Sequence, residues 1–159
     1  MFTTKFGIEV EFTGITRAQA AEVAARFLDG RIENVGDYYD TKKVTAPDGR
    51  VWKFMFDSSI RAEKKSGGRI TGADDKHKVE LVSPILTYNE DINTLQELIR
   101  QLRRAGGFAN ASAGIHIHLD GADHTPRSIR NFVNITKRSR LKQNGCVFAK
   151  RWIRRWWKS

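Results

Sequence analysis

Glu9 and Glu11 stand two residues apart in a stretch that alternates polar and apolar side chains, so both carboxylates fall on one face of an extended strand. Along that strand they are about 7 Å apart, near enough to share a cation and too near to sit together comfortably without one. Most Glu-x-Glu strands are simply solvated outer faces, so the pair gains meaning only from company. Three further groups supply it. Lys53 and Asp57 fall on one face of the segment Trp52-Lys53-Phe54-Met55-Phe56-Asp57, with the aromatic residues on the other. Glu80 lies amid Val79, Leu81 and Val82, a setting in which a buried carboxylate needs a partner and an edge strand would leave it in water. His116 and His118 share a face of Ile115-His116-Ile117-His118-Leu119. A neutral imidazole ligates a divalent metal and can also donate to phosphate. Three carboxylates and a histidine are hard donors suited to Mg²⁺ or Mn²⁺ rather than to structural zinc, and such sites serve phosphoryl chemistry. His124 as a third zinc histidine is a weaker arrangement.

These residues need strands to carry them, and the pattern provides strands. Phe6, Ile8, Val10 and Phe12 form the apolar face behind Glu9 and Glu11. Pro47-Asp48-Gly49 reads as the turn of a hairpin between residues 43–46 and 50–56. Residues 78–83 read as a strand ended by Pro84, and residues 115–119 as a short strand. Thr16 starts a helix that runs to about Leu28, with Gly30 just past its end. Thr87-Tyr88-Asn89-Glu90 matches a capping box ahead of a helix with Ile92, Leu95, Leu98, Ile99 and Leu102 on one stripe, ended by Gly106-Gly107. Thr125-Pro126 opens a further helix. Residues 58–75 read as a polar, mobile loop. Strands and helices mix without regular β-α-β alternation, which predicts an α+β fold with a mainly antiparallel sheet.

Charge divides the 159 residues unevenly. Residues 1–123 hold 17 Lys and Arg against all 18 Asp and Glu; residues 124–159 hold 11 Lys and Arg and no acid. The expected organisation is therefore an α+β domain over 1–123 and a basic helical tail over 124–159. Within the tail, Phe148/Ala149, Trp152/Ile153 and Trp156/Trp157 recur every four residues, the mark of an amphipathic helix. No segment approaches the ~20 apolar residues of a membrane span. The N-terminus lacks a signal-like core, and the lone Cys146 excludes a disulfide framework; a cytoplasmic protein is the expectation.

Phe6-Gly7-Ile8-Glu9-Val10-Glu11-Phe12, Trp52 through Asp57-Ser58-Ser59-Ile60, Glu80-Leu81-Val82-Ser83-Pro84-Ile85-Leu86 and Ala113-Gly114-Ile115-His116-Ile117-His118 occur in that order. The series resembles the amidoligase family, a branch of the glutamine synthetase-like carboxylate–amine ligases, from about Phe6 to about Phe132. The resemblance implies a curved antiparallel sheet with flanking helices, half of a glutamine synthetase-like catalytic domain, whose concave face binds ATP and two or more Mg²⁺. It implies amide formation from a small-molecule or peptide carboxylate and an amine at the expense of ATP. Glu9, Glu11, Glu80 and His116 resemble the family's metal ligands and His118 its phosphate-contacting histidine. Asp57 matches a motif position near the metals, and Lys53 is a candidate for phosphate contact. The family's later Glu-x-Arg motif has no counterpart, since no acid follows Asp123. That departure implies a truncated relative or a half completed by a second chain.

Two other readings stand beside it. The basic tail suits a non-catalytic module that binds nucleic acid or an anionic membrane surface through counterion release. A metal-dependent nuclease holding Mg²⁺ on Asp57 and Glu80 ranks last, because Lys78 precedes Glu80 rather than following it.

Overall fold

The computed structural model describes residues 5–120 and 125–138. The fold is α+β, built on an open antiparallel sheet. Its central strand is β1 (Lys5–Phe12), flanked by β7 (Val79–Val82) on one side and β9 (Ile115–Leu119) on the other. Beyond β7 lie β4 (Val51–Met55), β3 (Lys42–Thr45) and β2 (Arg31–Asn34), and every pairing is antiparallel. The short β8 (Leu86–Thr87) continues the line of β7 along β1, at Lys5 and Phe6. Between the two, Ser83 takes Ile8 as its partner: its N–H donates to the Ile8 carbonyl, and its Oγ accepts from the Ile8 N–H, both at 2.9 Å. Pro84 and Ile85 are thus left opposite Gly7, a bulge where a proline without an N–H costs the ladder nothing.

One face of the sheet makes the core. Phe6, Ile8, Val10 and Phe12 alternate inward along β1 as their spacing predicts, joined by Val44, Trp52, Phe54, Val79 and Leu81. Two helices cover them. α1 (Arg17–Leu28) packs through Ala20, Ala21 and Ala24, small enough to bring its backbone close to the sheet. Thr16 caps it in a reciprocal capping box with Gln19, and Asp29 ends it in the left-handed region. Gly30 serves closeness rather than conformation: a Cβ there would lie 2.9 Å from both the Thr45 carbonyl oxygen and Val44. α2 (Tyr88–Arg104) buries Leu95, Leu98, Ile99 and Leu102, the stripe its sequence predicts. Arg17, itself buried, ties α1 to the sheet's rim. It donates to Asp40 Oδ2 through Nε and Nη2, and to the Asp75 and Lys78 carbonyls through Nη1.

Several local expectations are corrected. The predicted loop at 58–75 contains a two-stranded hairpin, β5 (Glu63–Ser66) with β6 (Arg69–Gly72). Its strands are polar and almost wholly exposed, so hydrophobic alternation gives no sign of them; the usable signal was Gly67-Gly68, with φ of 55° and 78° for a two-residue turn. The exposed β2 escapes notice for the same reason. Thr87 does precede α2, but its side chain makes no cap and Glu90 is not its partner. Asp91 takes that place, accepting the Thr87 N–H at 2.7 Å while pairing with Arg50 at 2.6 Å. In β9, Ile115 packs against the core, but Ile117 and Leu119 are 61% and 64% exposed among the described residues, so only the start of the strand's apolar face joins it. α3 (Pro126–Arg138) begins where Thr125-Pro126 predicts, with Thr125 and Ser128 capping each other. His124 and the aromatic stripe at 148–158 lie outside the described residues. No described helix is long and apolar enough to cross a membrane.

Candidate functional site

The face opposite the helices carries the predicted residues, and strand register brings them together. Glu9 faces Val82 on β7 and His116 on β9, while Glu11 faces Glu80. Glu80 in turn faces Met55 on β4, two residues before Asp57. Glu9, Glu80 and His116 each offer a ligand atom within 4.8 Å of the others, and so do Glu11, Asp57 and Glu80. Glu80 belongs to both groups. The four carboxylates and the imidazole therefore form one continuous cluster, although up to 107 positions separate its members in sequence.

Glu9, Glu11 and Asp57 each have a holder. Glu9 is gripped from β9, with His116 Nδ1 at 3.0 Å from one oxygen and His118 Nε2 at 3.1 Å from the other. Glu11 is buried and accepts the Gly114 N–H at 2.6 Å, with His116 Nε2 at 3.8 Å. Gly114 is held in place by the loop before it. There Ser112 donates to Asn110 Oδ1, Asn110 Nδ2 donates to the Arg61 carbonyl, and the Ser112 Oγ accepts the Arg61 N–H. Asp57 accepts the Ser59 N–H at 2.6 Å in the turn leaving β4. Gly114 carries a role that motif reading missed. A Cβ there would lie 3.3 Å from Glu11 Oε2, tight enough to press on that carboxylate, and in ordinary contact with His116 Nε2 at 3.6 Å. The signal was its position, directly before the His-x-His strand.

The cluster crowds acidic groups together, and their titration shows it. Glu80 is pushed up to about 7, first by burial, then by the charges of Glu9, Asp57 and Glu11. Burial also raises Glu11, with Asp57 adding to the effect and the Gly114 N–H pulling against it. Like charges this close are held together at a cost that a divalent ion would cancel. Lys53 lies on the same face, opposite Val82, but makes no ion pair with a described residue. Lys43, directly across from Lys53, was not singled out by sequence; the Pro47-Asp48-Gly49 turn sets that register.

Fold and site together define an α+β protein whose open antiparallel sheet gathers acidic and imidazole side chains on one face. Residues 3–142 match the family described as "putative amidoligase enzyme". That is well over half of the chain, and the protein belongs to this ligase-type family. No curated protein matches the chain.

Proposed function

We propose that this chain is an ATP- and Mg²⁺-dependent carboxylate–amine ligase, with Mn²⁺ as the alternative cation. The observation that carries the reading is the pair of three-residue ligand groups sharing Glu80. The donor set fits: carboxylate oxygens with a single imidazole nitrogen are what a hard divalent ion takes. Glu9, Glu80 and His116 would hold one ion, and Glu11, Asp57 and Glu80 a second. Bound there, the ions neutralise phosphate oxygens of ATP. His118, now steadying Glu9, and Lys53 are the candidates for donating to those oxygens.

The reaction class follows from the family. The γ-phosphoryl group leaves ADP for an oxygen of the substrate carboxylate. An amine then attacks the activated carbonyl carbon, loses a proton, and expels phosphate to leave an amide. Substrates are accordingly a small-molecule or peptide carboxylate and an amine. Among the described residues β9 pairs only with β1, and its free edge is where a complementing chain would extend the sheet.

Thermal unfolding with Mg²⁺, ATP and the two together tests the reading, because a ligand bound by the folded state raises its apparent stability. Mg-ATP is expected to stabilise the protein, and Glu11→Gln to remove the Mg²⁺-dependent part. No shift at millimolar Mg-ATP would overturn the proposal.

A further inference from the structure

The open face has a second charged feature. Lys43 and Lys53 stand directly opposite each other across β3 and β4, on the side away from the buried Val44, Trp52 and Phe54. Like charges in that position destabilise a sheet. Neither ammonium makes a hydrogen bond or ion pair with a described residue. Glu33 lies across from Lys43 on β2 and pairs with neither. Glu80 is a diagonal neighbour of Lys53, roughly 7–8 Å away, and the two do not pair either.

The row reads across the sheet as Glu33, Lys43, Lys53, Val82, Glu9, His116. At ~4.8 Å per strand, Lys53 stands about 10 Å from Glu9 and Lys43 about 14 Å. The two lysines thus lie between Glu33 on the outer strand and, beyond the aliphatic Val82, the carboxylates and imidazole of the cluster. A ligand complementary to this row is a cation joined to an extended oxyanion, the cation at the carboxylates and the far oxyanion on the lysines.

We propose that Lys43 and Lys53 form an oxyanion subsite for the outer acidic group of a ligand whose near end lies at the carboxylate cluster. The class is a linked pair of oxyanions, either a polyphosphate chain or a dicarboxylate substrate. This rests on the ligase reading only for the identity of the near end.

The test uses the full chain and two probes, inorganic triphosphate and glutarate, titrated calorimetrically with and without Mg²⁺. The double variant Lys43→Gln/Lys53→Gln should unfold at no lower temperature than the parent, since a repulsion is removed. It should bind Mg²⁺ within about twofold of the parent. Its affinity for one probe should fall tenfold or more, and Lys→Arg at both positions should restore it. Loss confined to triphosphate assigns the subsite to a phosphate chain; loss confined to glutarate assigns it to a dicarboxylate substrate. A parent protein that binds neither probe at 10 mM overturns the proposal, as does a double variant that binds both unchanged. Lysine-dependent triphosphate binding in a protein indifferent to Mg²⁺ would overturn the placement of the near end at the carboxylates, whereas Mg²⁺-dependent binding of both probes that the double variant leaves unchanged would overturn the lysine subsite and leave the ligase reading standing.

Discussion

Replacing Glu80 with Gln separates the cost of the carboxylate cluster from its use. Without a cation, burial and the charges of Glu9, Asp57 and Glu11 push Glu80 up to about 7, against 4.5 for a free glutamate. A carboxyl raised on folding binds more protons folded than unfolded, so stability falls as pH rises between about 4.5 and 7. For a fully shielded group that shift would correspond to ~3 kcal/mol; at the half-buried position of Glu80, solvent screening leaves about 1–2 kcal/mol. The Glu80→Gln variant carries no charge at any pH. In EDTA it should match the parent at about pH 4, below the unfolded value, where Glu80 is largely protonated folded and unfolded alike, and exceed it at pH 8 by ~1–2 kcal/mol, about 3–6 °C in Tm. Millimolar Mg²⁺ at pH 8 should reverse the order, raising the parent and leaving the variant unmoved, because the ion needs the ionised carboxylate. Scanning calorimetry at the two pH values, with EDTA and with Mg²⁺, reads both effects. A variant no more stable than the parent at pH 8 in EDTA would refute the repulsion argument. An undiminished response to Mg²⁺ would refute the part given to Glu80 in holding the ion.

Gly114→Ala should leave the fold intact while displacing the Glu11 carboxylate, which the added methyl would approach to 3.3 Å. Mg²⁺ affinity measured by calorimetry should drop ~10-fold or more, as when a supporting contact around a metal is lost. Asp91→Ala removes both the acceptor of the Thr87 N–H and the partner of Arg50, and should cost about 1–3 kcal/mol in urea unfolding. Glu90→Ala, at the position the capping-box pattern favours, should stay within ~0.5 kcal/mol of the parent.

Alternation and periodicity determined what local physics can determine. Phe6 through Phe12 bury every second residue because a strand against helices has one dry face, and that parity alone put Glu9 and Glu11 on the other. The α2 stripe and the turn at Pro47-Asp48-Gly49 were legible for similar reasons, since each feature depends on residues only a few positions apart. Where exposure left no hydrophobic mark, as in β2 and the β5–β6 hairpin, the pattern was silent. Where two acids stood side by side, as at Glu90 and Asp91, spacing chose the wrong one, because Arg50, in the distant turn before β4, pairs with Asp91. The site belongs mostly to tertiary structure. The motif resemblance named Glu9, Glu11, Glu80 and His116, but only the register of β9, β1, β7 and β4 brings those groups, with Asp57, to within 4.8 Å of their neighbours. The same register puts Lys43 beside Lys53 and sets both apart from the acids. A strand's own sequence decides which face a side chain takes; which side chains it meets there is decided by the neighbouring strands, through backbone hydrogen bonds that carry no residue identity.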